Sequence, residues 1–143
     1  LVGLSVRVAT VGHAPDGTSS RNTHGQVASV LNTTGAYSLV RHPLYLGNYL
    51  MWLGAALFPR VAWLPVVVTL AYSLYYERIM LAEEAFLRQR FGATFEAWAS
   101  RTPAILPHLA SARRHWRPPA LPFSGRTVLR REYSGVFGLV AVA

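Results

Sequence analysis

The chain has 143 residues, 52% of them apolar and 14% charged, a balance that argues against an ordinary soluble domain and for a membrane protein. Its formal charge of +8 is carried by fourteen arginines with no lysine. These arginines flank apolar segments without any zinc-finger, helix-turn-helix or aromatic RNA-binding motif, so anionic lipid headgroups are expected as partners and nucleic acid is not. The absence of cysteine excludes disulfide frameworks, thiolate metal sites and cysteine nucleophiles.

In chain order, residues 1–11 carry a single charge, Arg7, and are expected to be the end of a preceding transmembrane helix; no basic region or small-residue cleavage site marks a signal peptide. Residues 12–36 form a polar loop rich in Gly, Ser, Thr, Asn and Asp, with a turn at Pro15-Asp16-Gly17-Thr18. From Leu44 the composition changes. Leu44 to Phe58 is uncharged, Pro59-Arg60 interrupts it, and Val61 to Tyr76 is uncharged again. Extended at both ends, the two runs predict a transmembrane helical hairpin over residues 43–91 with Pro59-Arg60 at its tip. Pro43 suits the first turn of the first helix, where a missing N–H costs nothing, and leaves Arg41 and His42 just outside it. Arg41, Arg78, Arg88, Arg90 and the tail arginines then oppose Arg60, which directs both chain ends to the cytosol. Trp52, Trp63, Tyr72, Tyr75 and Tyr76 are expected as interface or packing aromatics.

From Glu77 to Phe91 the second helix becomes amphipathic, and Gly92 ends it. A short helix over Thr94 to Ser100 and an extended strap over Thr102 to Pro107 follow. Residues 92–134 are expected to be a basic cytosolic segment, and 135–143 the start of a further apolar segment. No internal repeat is present. The fold class is therefore all-α: a multi-span helical membrane protein with a transmembrane hairpin and a C-terminal segment on the cytosolic side.

The candidate chemistry centres on Glu83. Its neighbours at helical spacing are Ile79, Met80, Phe86 and Leu87, so an ionised carboxylate there must meet a cation or take up a proton. Arg41, His42, Arg78 or a positively charged ligand could serve, and a purely structural pairing of Glu83 with Arg41 would explain the residue as well. Glu84 has Arg88 at i+4 and is expected to form a surface pair with it. His42, beside Arg41 and a helix N-terminus, offers an anion site. Gly47 and Gly54, on one helix face, predict close helix packing. His13, His24, His108 and His115 have no ligand spacing, so no metal site is expected. Neither a Gly-x-Ser-x-Gly elbow nor a G-x-G-x-x-G loop occurs, which removes support for a Rossmann-type architecture.

The stretch Thr34-Gly35-Ala36-Tyr37-Ser38-Leu39-Val40-Arg41-His42-Pro43-Leu44-Tyr45-Leu46-Gly47, then Glu83-Glu84, Phe91-Gly92, Trp98 and Pro103, resembles the isoprenylcysteine carboxyl methyltransferases and the related phospholipid methyltransferases. The likeness runs from about Gln26 to Pro107. It implies S-adenosyl-L-methionine as cofactor at the cytosolic face, under a closing C-terminal segment, with a lipid or lipid-modified acceptor entering from the bilayer. Carried over, it implies cofactor contacts at Ser29, Val30, Leu31, Asn32, Tyr37, His42, Pro43, Leu44, Tyr45 and Glu83. The anion site at His42 would then receive the carboxylate of the methionine moiety, and Glu83 would face its ammonium or sulfonium. The family's acceptor-holding arginine, four residues before that glutamate, is replaced by Ile79, with Arg78 one step away as a substitute. Arg41, Arg78 and Glu84 are the candidate catalytic groups, Glu84 or a tyrosine removing a proton where the acceptor is an amine or hydroxyl. Two other readings stand: an NADPH-dependent membrane sterol-type reductase, whose C-terminal region has a similar Arg-His-Pro, and a non-catalytic helical scaffold.

Overall fold

In a computed structural model the described residues are 1–14, 28–110 and 112–142, and they are helical with no strand among them. The Pro15-Asp16-Gly17-Thr18 turn, His24 and Gln26 lie outside the described residues. Helix α1 covers Val2–Gly12, a 3-10 turn Gly35–Ser38, α2 Pro43–Leu57, α3 Leu64–Phe91, α4 Ala93–Ala99, α5 Ala112–His115 and α6 Gly125–Val142.

Helix α2 starts at Pro43 with His42 as its N-cap, because the residue before a proline is driven out of the helical region while the proline itself needs no N–H partner. Its first turns lie against α1. A Cβ on Gly3 would sit 2.5 Å from the Gly47 carbonyl oxygen, and one on Gly47 would sit 2.6 Å from Arg7 Cγ, so the two backbones touch at the paired glycines. Gly54 does not share this role: nothing lies within 4 Å of its would-be Cβ, because α1 has ended its contact before that turn of α2.

The contact between α1 and α2 is sealed by a buried cluster of polar groups. Arg7 donates from Nε and NH2 to the two carboxylate oxygens of Glu132 on α6, at 2.7 and 2.6 Å, and from NH1 to Asn48 Oδ1. Glu132 is 3% exposed, and the bidentate guanidinium supplies the cation that so buried a carboxylate requires. Ser124 caps α6 by accepting hydrogen bonds from the Thr127 N–H at 3.3 Å and the Thr127 hydroxyl at 3.0 Å. One helix thus runs across the expected boundary at residues 134/135, since this cap sets its start and no proline interrupts it.

The hairpin forms, but not as a pair of spans: among the described residues no helix is long and apolar enough to cross a membrane. With 15 residues, α2 reaches only about 22 Å against a hydrocarbon core of about 30 Å. Helix α3 has the length, at 28 residues, yet Glu77, Arg78, Glu83, Glu84, Arg88 and Arg90 charge its second half. The first half presents Val66, Leu70 and Leu74 on one face, each about 60% exposed, and Trp52, Phe58 and Trp63 are exposed near the hairpin tip. Gly92 ends α3 with φ +51°, a conformation that side chains resist, and turns the chain into α4.

Candidate active site

Three elements meet at the Arg41-His42-Pro43 turn. The strap after α4 runs alongside it, the Arg41 N–H donating to the Pro103 carbonyl at 2.8 Å and the His42 N–H to the Ala104 carbonyl at 2.9 Å. Prolines at 103 and 107 keep this strap extended, so its carbonyls remain available as acceptors. Below the turn, α3 offers Glu83 and Glu84.

The two carboxylates have different surroundings. Glu84 Oε1 accepts from Arg41 Nε at 2.8 Å and from His42 Nε2 at 2.8 Å, and Glu84 Oε2 lies 3.4 Å from Arg41 NH2. Arg41 NH1 donates further to the carbonyls of Thr102, at 2.7 Å, and Ala99, at 3.1 Å, which binds turn, α3 and α4 into one unit. Burial by itself would raise the Glu84 carboxyl, but the hydrogen bonds and charges of Arg41 and His42 more than offset it and hold the group below the usual carboxylate range. Glu84 is thereby an ionised, fully engaged group, poorly suited to remove a proton. The expected Glu84–Arg88 pair does not form, because Arg88 turns to Glu96 on α4, with its guanidinium also over the Phe95 ring.

Glu83 has a weaker set of partners. Its Oε2 accepts from the Tyr45 hydroxyl at 3.0 Å and lies 3.8 Å from His42 Nδ1, beyond hydrogen-bond range. Its side chain is 35% exposed, against 13% for Glu84. The structural pairing with Arg41 expected for Glu83 therefore belongs to Glu84 instead. Successive helix positions point about 100° apart, and only Glu84 faces the guanidinium.

Around Glu83 stand aromatic groups. The Tyr45 ring stacks near the His42 imidazole, with centroids 5.5 Å apart, and meets Tyr76 at 5.2 Å, while Tyr76 and Tyr72 are stacked at 3.9 Å. The Tyr37 hydroxyl is enclosed near the same carboxylate; burial and then the charge of Glu83 raise it far above its usual range, so it stays protonated and able to donate. Trp98 fixes this residue by donating from Nε1 to the Tyr37 carbonyl at 3.1 Å.

The fold thus brings together Tyr37, Arg41, His42, Pro43, Tyr45, Glu83 and Glu84. Leu44 sits part-buried in the first turn of α2. Ser29 and Val30 are exposed; Asn32 folds its Oδ1 back to the Thr34 N–H at 3.2 Å, and Arg90 ties the Ala28 carbonyl to the last turn of α3. That turn lies seven residues past Glu83, about 10 Å along the helix. Arg78 is exposed on α3, and no ion pair joins it to either carboxylate. The His42 side chain is not open to an anion: it is 4% exposed, and its two ring nitrogens face Glu84 and Glu83. The strap accounts for this difference from the sequence expectation by taking up the Arg41 and His42 backbone N–H groups that would have received an anion. Among the described residues no three His, Asp or Glu side chains gather as metal ligands.

The sequence marks Tyr76 only as an interface or packing aromatic and Thr102 only as the start of the strap, and it assigns neither these nor Ala99 to the site. Tyr76 precedes Glu83 by seven residues, two helical turns, and this spacing alone could have placed it on the Glu83 face. The carbonyls of Ala99 and Thr102 carry no sequence signal.

The family model for phospholipid methyltransferases matches residues 13–94 of the chain. The nickel-cobalt-cadmium resistance protein NccN of Alcaligenes xylosoxydans xylosoxydans is 34% identical over 110 residues, 77% of this chain and 50% of that protein. The cobalt-zinc-cadmium resistance protein CzcN of Cupriavidus metallidurans is 36% identical over 110 residues, 77% of this chain and 49% of that protein. A protein-S-isoprenylcysteine O-methyltransferase of Schizosaccharomyces pombe is 32% identical over 82 residues, 54% of this chain and 33% of that protein. The chain spans about half the length of the first two relatives. No solved structure matches it.

Proposed function

The chain belongs to the phospholipid methyltransferase family, and on that premise we propose that it is the catalytic part of an enzyme that methylates a lipid or lipid-linked acceptor with S-adenosylmethionine. The observation that carries this reading is Glu83: a half-open carboxylate whose near partners are a tyrosine hydroxyl and a distant imidazole, set among tyrosine rings. A carboxylate and aromatic faces both attract a cation, and the sulfonium and ammonium of the cofactor are cations. The residues present fit that group.

When bound, the cofactor would supply an electrophilic methyl group for an in-line displacement. The chain's own contribution is alignment and exclusion of water. The Tyr45 hydroxyl fixes the Glu83 carboxylate, and Tyr37, held by Trp98, keeps a protonated hydroxyl on the enclosed side. Arg41, His42 and Glu84 act as positioning residues that press the turn against α3 and the strap. Glu84, with its oxygens engaged by Arg41 and His42, is a weak base, so an acceptor that arrives already nucleophilic, such as a carboxylate, needs no proton transfer to it. The exposed apolar face of α3, with Val66, Leu70 and Leu74, supports an acceptor delivered on a lipid. Two relatives carry names that refer to metal resistance. With no three-residue ligand group among the described residues, metal binding by this chain has less support than modification of a lipid.

The test is calorimetric titration of S-adenosylmethionine into the full-length protein in detergent. Wild type is expected to bind, and Glu83→Gln to bind at least tenfold more weakly with an unchanged melting temperature. Equal affinities would remove Glu83 from the site. A wild-type protein that ignored S-adenosylmethionine and bound NADPH would replace the methyltransferase by a reductase.

A further inference from the structure

A second concave site lies on the other side of Trp98, built largely from residues beyond those that the family model matches. It is a cavity of about 590 Å³ between α4, the strap and the segment carrying α5, within the size range of small-ligand sites. Arg101, Arg114 and Arg117 line it together with the hydroxyls of Thr33 and Thr94, and no Asp or Glu is among its lining residues.

The sequence has fourteen arginines against six acids. Of the glutamates, Glu84 is taken by Arg41 and His42, Glu96 by Arg88 and Glu132 by Arg7, while Glu83 faces the tyrosines of the methyl-transfer site. Glu77 sits in the middle of α3, outside the cavity wall. Three guanidinium groups facing one cavity repel each other, and none of the five glutamates lies in its wall, Asp16 being outside the described residues, so an anionic ligand would relieve the repulsion.

The backbone holds the arginines in place. The Arg117 N–H donates to Ser38 Oγ at 3.0 Å and its carbonyl accepts from the Gly35 N–H at 2.9 Å, which pins the residue to the 3-10 turn. Arg101 donates from Nε to the Ala97 carbonyl at 2.9 Å, fixing the plane of its guanidinium along α4. Guanidinium forks and hydroxyl donors lining one cavity suit tetrahedral oxyanions, above all phosphate, which accepts several such bonds at once.

We propose that this cavity binds a phosphate group, either the phosphodiester of a lipid headgroup or a free phosphate, through Arg101, Arg114 and Arg117. The site stands independently of the methyl-transfer reading, and its test uses no methylation assay.

Inorganic phosphate and, separately, a short-chain phosphatidylglycerol below its micellar concentration are titrated into the full-length protein in detergent at fixed ionic strength. The triple variant Arg101→Gln/Arg114→Gln/Arg117→Gln is compared with the charge-matched control Arg113→Gln/Arg126→Gln/Arg130→Gln. Affinity for at least one ligand is expected to fall tenfold or more in the cavity variant and less than twofold in the control. Preference for the lipid assigns a headgroup, and equal or better binding of inorganic phosphate assigns a free phosphate. Equal losses in the two triple variants would reduce the effect to net charge and overturn the proposal, as would no binding by wild type. Should the cavity variant fail to fold, Arg114→Gln alone, whose side chain is exposed, is expected to weaken binding at least threefold, and an unchanged affinity overturns the proposal equally.

Discussion

Arg41 reaches Glu84 and not Glu83: its Nε lies 2.8 Å from Glu84 Oε1, and the carboxylate one residue earlier is left to the Tyr45 hydroxyl. One residue of helical rotation thus divides two adjacent acids into a lock and a more exposed carboxylate beside the tyrosines, and their roles can be separated by mutation.

Removing the lock should cost stability. Glu84→Gln leaves a part-buried guanidinium without its charged acceptor, and a loss of about 1–3 kcal/mol is expected. Chemical denaturation of the full-length protein would measure it. An unchanged midpoint would mean that the strap carbonyls alone hold Arg41.

The same pair sets an acid limit. Because the folded-state carboxyl of Glu84 is depressed, its contribution is present above the roughly 4.3 of an unfolded glutamate. That contribution is lost as pH falls through the lower folded value. Melting temperatures followed from pH 7 downward should show wild type and Glu84→Gln converging in acid; curves that stay parallel would contradict the assignment.

Tyr45→Phe should act on binding and not on folding. It deletes the hydroxyl that orients Glu83 but keeps the ring against His42 and Tyr76. Affinity for S-adenosylmethionine is expected to fall about tenfold to a hundredfold, the value of one hydrogen bond to a charged group at about 1.5–3 kcal/mol. Calorimetry in detergent checks this, and a full-affinity variant would release Glu83 from dependence on Tyr45.

The two glycines of α2 should behave oppositely. Gly47→Ala drives a methyl group to 2.6 Å from Arg7 Cγ and 2.9 Å from the Gly3 carbonyl oxygen, and about 1–3 kcal/mol of destabilisation is expected. Gly54→Ala meets open space and gains helix propensity, about 0.5–1 kcal/mol. Thermal melts of the two variants give the contrast, and equal shifts would deny the α1–α2 contact.

Arg7 and Glu132 offer a double-mutant test. Losing either alone strands a buried charge, at about 3–5 kcal/mol, whereas Arg7→Met with Glu132→Leu should restore most of the stability. Additive losses in the double variant would indicate that the pair is not coupled.

Much of this molecule was legible in its residues. Pro43, the break at Pro59-Arg60 and Gly92 delimit α2 and α3 because a proline ring and a positive φ impose local geometry whatever the surroundings. The order Tyr37, Arg41-His42-Pro43, Tyr45, Glu83-Glu84 pointed to one site through its resemblance to the isoprenylcysteine carboxyl methyltransferases, while helix periodicity by itself marked only Glu83, on an apolar stripe. Features that depend on packing escaped. The choice of Glu84 as the partner of Arg41 depends on how far α3 is rotated against the turn, and the transfer of Arg88 to Glu96 depends on α4 folding back after Gly92. The carbonyls of Ala99, Thr102, Pro103 and Ala104 carry no side-chain signature at all. Hydrogen bonds between elements distant in the chain arise only when packing brings them within about 3 Å, and that packing is decided by the whole set of contacts rather than by any one segment. Local residue chemistry fixes the bounds of α2 and α3 and the set of charged groups, whereas packing in three dimensions selects which charges pair and which stay open to solvent.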